Sequence, residues 1–96
     1  MQMIESVRFF TSYDANKYLG TLFRLRRKEQ KISELELSKL LGISQQQVSR
    51  YENGLTNFNI IILFKFFYAL NMNSKEVEGI FNELKGFYSD SSFGGL

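Results

Sequence analysis

Residues 33–54, SELELSKLLGISQQQVSRYENG, decide the fold of this chain. Ser33 and Glu36 have the spacing of a capping box, in which the serine hydroxyl accepts from the Glu36 amide and the carboxylate reaches back to the Ser33 amide. This pattern predicts a helix from Glu34 to Leu41, with a short apolar stripe made of Leu37, Leu40 and Leu41. Gly42 follows as a stop, because glycine adopts the left-handed backbone that closes a helix.

The second half of the stretch predicts another short helix. Ser44 and Gln47 repeat the capping-box spacing, and Asn53-Gly54 ends the helix with a pair that tolerates positive φ. Only Val48 and Tyr51 anchor this helix with apolar side chains, so its polar face must be exposed. That polar face consists of Gln45, Gln46, Ser49 and Arg50.

Three further helices are predicted outside this stretch from apolar spacing. They cover residues 17–28, 60–70 and 75–85, and the five helices together predict an all-α chain. The 60–70 helix is apolar almost all round. One of its faces holds Ile62, Leu63, Phe66, Phe67 and Leu70, and the opposite face holds Ile60, Ile61, Phe64 and Tyr68. A small monomer buries one such face, not both.

With 96 residues the chain has room for one domain. We expect an N-terminal extension over residues 1–16, a helix-turn-helix domain over 17–86 and a flexible tail over 87–96. The extension contains Ile4, Val7, Phe9 and Phe10 and is compatible with a helix or a short strand. No apolar run is long enough to span a bilayer and no secretory signal opens the sequence, so we expect a cytoplasmic protein.

The composition excludes most catalytic chemistry. The chain has no Cys and no His, so it has no thiolate or imidazole to bind a metal or act as a base. No phosphate-binding loop or activated nucleophile is visible either, and we expect no enzyme, no metal, no cofactor and no small-molecule effector. The net charge is only +2, but residues 17–54 hold eight basic and four acidic residues, which indicates a face for an anionic partner.

The paired helices identify a family by resemblance. Ile32-Ser33, the segment from Leu37 to Ser44 and the segment from Val48 to Gly54 resemble the phage-repressor-like helix-turn-helix regulators of the Cro/C1 type, also called the XRE family. The resemblance covers about residues 17–84. It implies a five-helix, lambda-repressor-like fold with a central helix-turn-helix, and a cytoplasmic, bacterial regulator that binds double-stranded DNA.

The resemblance also implies roles for single residues. Base contacts from the recognition helix, residues 45–53, are expected at Gln45, Gln46, Ser49 and Arg50, and both Gln with adenine and Arg with guanine can pair through two hydrogen bonds. Contacts to the DNA backbone are expected at Ser33, Ser44, Gln47 and Asn53. Arg27 and Glu52 match a structural ion pair of the family.

The sequence departs from the family pattern at two positions before and in the first of the paired helices. Glu34 stands where the family often has Gln, and a carboxylate there repels phosphate unless it turns aside. Lys31 stands where the family usually has Gly, and it either contacts phosphate or is solvated.

The second apolar face of the 60–70 helix predicts self-association through Ile61, Phe64 and Tyr68. The alternative is that residues 1–16 fold over this face within one chain. A two-fold dimer separates its recognition helices by about 34 Å and therefore predicts a pseudo-palindromic operator.

A shorter match, residues 44–52, resembles the signature of MrpJ-type regulators encoded in fimbrial operons. This resemblance implies repression of flagellar genes and control of fimbrial genes, although activation is equally compatible with the residues. A different class stays open beside it: an antitoxin-type interaction module, whose apolar face masks a toxin while its helix-turn-helix binds its own promoter. A toxin-like neighbouring gene favours the antitoxin, and pilus genes favour the regulator.

Overall fold

The computed structural model describes residues 12–88, and within this range it is entirely helical, with five helices and no strand. This confirms the predicted fold class. None of these helices is both long enough and apolar enough to cross a membrane. The helices are α1 (Ser12–Glu29), α2 (Glu34–Leu41), α3 (Gln45–Glu52), α4 (Ile60–Ala69) and α5 (Ser74–Tyr88).

Side-chain caps explain why most helices begin where the sequence predicts. The Ser33 hydroxyl accepts from the Glu36 amide and the Glu36 carboxylate accepts from the Ser33 amide, both at 3.0 Å. Asn73 and Glu76 make the same reciprocal pair at the start of α5. At Ser44 the capping box is half present in the described part of the chain, because the hydroxyl accepts from the Gln47 amide but the Gln47 side chain makes no return bond.

Helix α1 starts five residues before the predicted Lys17. Its first turns are held in the fold by Asn16, whose side-chain amide donates to the Asn57 carbonyl oxygen Oδ1 at 2.7 Å. Residues 12–16 therefore form the first turns of α1. The expectations for residues 1–11 and 89–96 lie outside the described residues.

The core is aromatic and lies between α1, α3 and α4. Phe23 is fully buried and stacks on Phe66 with ring centroids 4.7 Å apart. Tyr51 of α3 packs against Phe58 at 4.8 Å and against Phe66 at 5.6 Å. The other buried apolar residues are Leu19, Leu37, Leu41, Val48, Ile62, Leu63, Phe67, Leu70 and Ile80.

The two faces of α4 separate as the sequence predicts. All members of the first face are buried, and Ile60, Ile61, Phe64 and Tyr68 are exposed, Tyr68 to 88%. Leu40, which the sequence placed on the inward stripe of α2, is instead 62% exposed and lines a shallow cleft with Ile61, Phe64 and Tyr68. We call these four residues, Leu40, Ile61, Phe64 and Tyr68, the apolar surface.

Candidate DNA interface

Helices α2 and α3 are joined by a turn of the helix-turn-helix type. Gly42 has φ of 72° and closes α2 in the left-handed conformation, which costs glycine little. The next residue, Ile43, is half-buried against the core and donates its amide to the Ser38 carbonyl at 3.1 Å. Ser44 then caps α3, so the angle between the two helices is set by a single three-residue connection.

Helix α3 is fixed on its inner side. Val48, Tyr51 and Glu52 are buried. Gly20 of α1 lies against the end of α3 so closely that a Cβ built there would be 2.3 Å from the Tyr51 carbonyl oxygen. Sequence reasoning missed Gly20, because a glycine inside a helical pattern gives no sign of which backbone it approaches.

The outer side of α3 carries the predicted base-reading residues. Gln45, Gln46 and Arg50 are exposed and Ser49 is half-buried. The side-chain amides of Gln45, Gln46 and Gln47 make no hydrogen bond to other residues of the described range 12–88. Each amide can therefore donate and accept in the plane that pairing with an adenine edge requires.

The predicted backbone-contacting residues lie around the first turns of α2 and α3. Ser33, Ser44 and Gln47 are exposed, and the two serine hydroxyls accept from backbone amides while keeping their own protons to donate. Asn53 is also exposed, but its side-chain amide donates to the Ser49 carbonyl at 2.8 Å and is therefore partly occupied. The N-termini of α2 and α3 favour an anion, since the amides of a first turn have no partner inside the helix.

Arg27 and Glu52 form a buried ion pair between α1 and α3. Arg27 Nε and Nη2 donate to the two carboxylate oxygens of Glu52 at 2.6 and 3.1 Å, and Nη1 donates to the Ile32 carbonyl at 2.8 Å. Hydrogen bonding to Glu52 raises the pKa of the Arg27 guanidinium. The pair thus connects three segments, namely α1, the loop before α2 and the end of α3.

Glu34 faces this pair. Burial raises the pKa of the Glu52 carboxyl, and the neighbouring Glu34 carboxyl raises it further, against the lowering effect of Arg27. The Glu34 side chain is half-buried on this side of the first turn of α2. Glu34 thus acts electrostatically on both members of the pair, while the Arg27 guanidinium bonds to the Glu52 carboxylate.

Replacing Glu34 with Gln is expected to stabilise the folded protein at neutral pH, by about 0.5–1 kcal/mol, because it removes the like charge beside Glu52. The folded pKa of Glu52 is above its ordinary value of 4.5, so its contribution to stability is present below that value and is lost as the pH rises through the folded pKa. The variant should show a weaker pH dependence of this sign. Urea unfolding between pH 4 and pH 8 measures it, with exposed Glu78→Gln as the control; an unchanged pH profile would contradict the arrangement.

Arg26 is bonded within the fold and connects α1 to the end of α4 and the start of α5. It pairs with Glu76 at 2.6 Å and donates to the Leu70 and Asn71 carbonyls at the end of α4. Its helical spacing with Leu19, Leu22 and Phe23 on α1 was the signal for this role.

Lys31 has φ of 58°, and this left-handed backbone is the reason glycine suits the position.

No group of three or more Asp or Glu residues in the described range could hold a metal ion.

A family model described as helix-turn-helix matches residues 23–76, which is more than half of the chain. The matched region contains α2, α3 and α4 in full, and therefore the whole turn with both helices around it. No curated protein matches the sequence.

Proposed function

We propose that the chain, which belongs to the helix-turn-helix family of the Cro/C1 type, is a transcriptional regulator that reads DNA sequence with α3. The family is one of DNA-binding domains and not of enzymes. In this proposal α3 enters the major groove, with Gln45, Gln46, Ser49 and Arg50 against base edges. Ser33, Ser44, Gln47 and Asn53 contact the DNA backbone. Arg27 and Glu52 hold α3 in place and do not touch DNA.

The observation that carries the proposal is the state of the α3 glutamines. Their amides are exposed and bonded to no other residue of the described chain, while the opposite side of the same helix is buried. Solubility alone does not require an exposed helix to be held in one position by buried residues on its inner side. Reading base edges does, because base discrimination depends on fixed geometry.

Gln45→Ala and Gln46→Ala are each expected to lose about 1–3 kcal/mol of discrimination between the preferred base pair and the others. Binding to random DNA should hardly change, because that binding comes from phosphate contacts. The measurement begins with selection of bound sequences from random duplex DNA at near-physiological salt, followed by titration of each variant on the enriched site and on scrambled DNA.

Asn82→Ala is the matched control, since Asn82 is an exposed amide on α5. Equal losses on the enriched site and on scrambled DNA would contradict base reading by the glutamines. Failure to enrich any sequence would contradict the proposal that the protein is a sequence-specific regulator.

Arg50→Ala tests whether this arginine contacts phosphate or a base. A salt dependence of binding whose slope is smaller by about one unit marks a phosphate contact, and a relaxed sequence preference marks a base contact.

We further propose that the protein acts as a homodimer through the apolar surface. Large apolar side chains that remain exposed together are typical of association sites. Phe64 also contacts buried Phe67 edge to face, and Phe67 contacts Phe81 of α5, which is 37% exposed. A two-fold dimer of this kind recognises a pseudo-palindromic site.

Tyr68→Glu and Phe64→Glu are expected to convert the dimer into a monomer, because a carboxylate cannot be buried in an apolar interface without a partner. Tyr68 is the cleaner position, since its side chain is almost wholly exposed. Light scattering gives the mass and circular dichroism confirms the helices. Leu55→Glu is the control at an exposed leucine outside the surface. If the wild-type protein is already a monomer, the surface does not pair two copies.

The likeness of residues 44–52 to MrpJ-type regulators supports a narrower proposal, the control of fimbrial and flagellar genes. It is tested by searching promoters for the selected operator. An antitoxin-type module is the second candidate, and the apolar surface is the feature that favours it, because such a surface can equally cover an unlike protein. A wild-type monomer that binds its own promoter, encoded beside a small toxin-like gene, would support the antitoxin.

A further inference from the structure

The outer side of α3 and its C-cap hold a row of three polar residues, Gln45, Ser49 and Asn53, each about one helical turn after the last. Side chains of a helix lean toward its N-terminus, so each member of such a row lies over the one before it. Asn53 therefore reaches back to Ser49. Its amide nitrogen Nδ2 lies 2.8 Å from the Ser49 carbonyl oxygen and 3.4 Å from the Ser49 hydroxyl oxygen Oγ.

These two contacts fix the polarity of the Ser49 hydroxyl. A carbonyl oxygen can only accept a hydrogen bond, so the Asn53 atom that faces it is the donating nitrogen and not the amide oxygen. The same nitrogen cannot accept, and Oγ must therefore be the acceptor in the second contact. It follows that the proton of the Ser49 hydroxyl points away from Asn53.

The hydroxyl proton of Ser49 has no acceptor within residues 12–88. Ser38 on α2 shows a common arrangement of a helical serine, in which the hydroxyl donates to the Leu35 carbonyl at 2.6 Å. Ser49 makes no such bond in this part of the chain. Its half-buried side chain lies on the face of α3 that also presents Gln45 and Gln46. The proton is thus available to a group that lies against this face.

We propose that Asn53 is a positioning residue that makes the Ser49 hydroxyl a hydrogen-bond donor to a base in the major groove, an inference that rests on the proposed function. A donor selects a base that accepts, through guanine O6 or N7, adenine N7 or thymine O4. It rejects cytosine on the contacted strand, because the N4 amino group of cytosine only donates. Without Asn53 the hydroxyl can either donate or accept, and this selection is lost.

The bond to Ser49 is compatible with the proposed contact of Asn53 to the DNA backbone. The amide nitrogen of Asn53 carries two protons, and one of them suffices for the 2.8 Å bond to the Ser49 carbonyl. Asn53 thereby has two separable effects on binding. The phosphate contact strengthens binding to any DNA, whereas the bond to Ser49 acts on the preference at one base pair.

The test compares base preference at every position of the site that the wild-type protein selects from random duplex DNA. Ser49→Ala should lower the preference at one base pair about 3–10-fold, as expected for one hydrogen bond. Asn53→Ala should lower the preference at the same base pair about 2–5-fold. An analogue of that base without its acceptor should weaken wild-type binding and leave Ser49→Ala unaffected. Asn82→Ala, at an exposed amide of α5, should change no position.

Two further variants distinguish positioning from an independent contact. Ser49→Ala combined with Asn53→Ala should lose no more preference at that base pair than Ser49→Ala alone, because Asn53 acts there through the hydroxyl. Asn53→Asp keeps the shape of the side chain, but its carboxylate cannot donate, so it should relax the same base pair. This variant separates the missing donor from missing volume at the end of α3.

The inference is overturned if Ser49→Ala changes no base preference, or if the losses of the two single variants multiply in the double variant. It is also overturned if Asn53→Ala weakens the selected site and scrambled DNA equally while the base preference stays that of the wild type. These results leave the regulator standing, because the wild-type protein still selects a site. Failure of the wild-type protein to select any sequence overturns the regulator and this inference together.

Discussion

Replacing Arg27 with leucine is expected to reduce the free energy of unfolding by about 3–5 kcal/mol at neutral pH, because Glu52 is then left buried without its cation. The Glu52 carboxyl is almost completely enclosed, and the Glu34 carboxyl beside it adds a second negative charge. The Ile32 carbonyl also loses the donor that connects α1 to the loop before α2. Urea denaturation measures the loss.

The loss of unfolding free energy caused by Arg27→Leu should depend on pH and on whether Glu52 is present. At pH 4–5 the loss should be smaller, because protonation of Glu52 removes the stranded charge. The double variant Arg27→Leu with Glu52→Leu should recover much of the stability, since an apolar pair of similar volume leaves no buried charge. Arg24→Leu, at an exposed arginine of α1 that forms no ion pair within residues 12–88, should change stability by less than about 0.5 kcal/mol. A loss that the double variant does not reduce would show that Arg27 acts through packing alone.

Gly20→Ala is expected to destabilise the fold by about 2–3 kcal/mol, although alanine normally favours a helix by about 1 kcal/mol over glycine. The added Cβ would be 2.3 Å from the Tyr51 carbonyl oxygen and 2.8 Å from that of Glu52. Both atoms are backbone, so no rotation of a side chain relieves the clash and α3 must move away from α1. DNA affinity for the enriched site should therefore fall more than affinity for random DNA.

Gly86→Ala provides the opposite expectation in the same protein. Its Cβ would have no atom within 4 Å, so this variant should be neutral or more stable by up to about 1 kcal/mol. Thermal unfolding of both variants decides between a steric and a propensity effect. If Gly20→Ala were as stable as Gly86→Ala, the close approach of α1 to α3 would be wrong.

Local sequence signals were sufficient for most of the fold. The caps at Ser33, Ser44 and Asn59 and the stop at Gly42 act through neighbouring residues, so the bounds of α2 and α3 can be read from the chain itself. The start of α1 could not be read in this way, because Asn16 is held by Asn57, a residue 41 positions away.

The parts of the site that sequence did not predict all depend on a distant segment. Leu40 has the spacing of a core residue on α2, yet α4 does not cover it. Glu34 raises the pKa of Glu52, a relation between α2 and α3 that no local pattern indicates. Gly20 lies in a helical run, and nothing in that run indicates that α3 packs against it. Helical spacing says which residues share a face, but it does not say what lies opposite.

The α3 glutamines have a consequence for how this protein can diversify. Because their side chains bond to nothing else in residues 12–88, exchanging them leaves the anchors of the helix untouched. Under the proposed base reading, a new preference for bases can thus arise by one or two codon changes, with no second substitution needed elsewhere in the helix. Duplicated copies of such a gene can acquire separate binding sites while keeping one common framework.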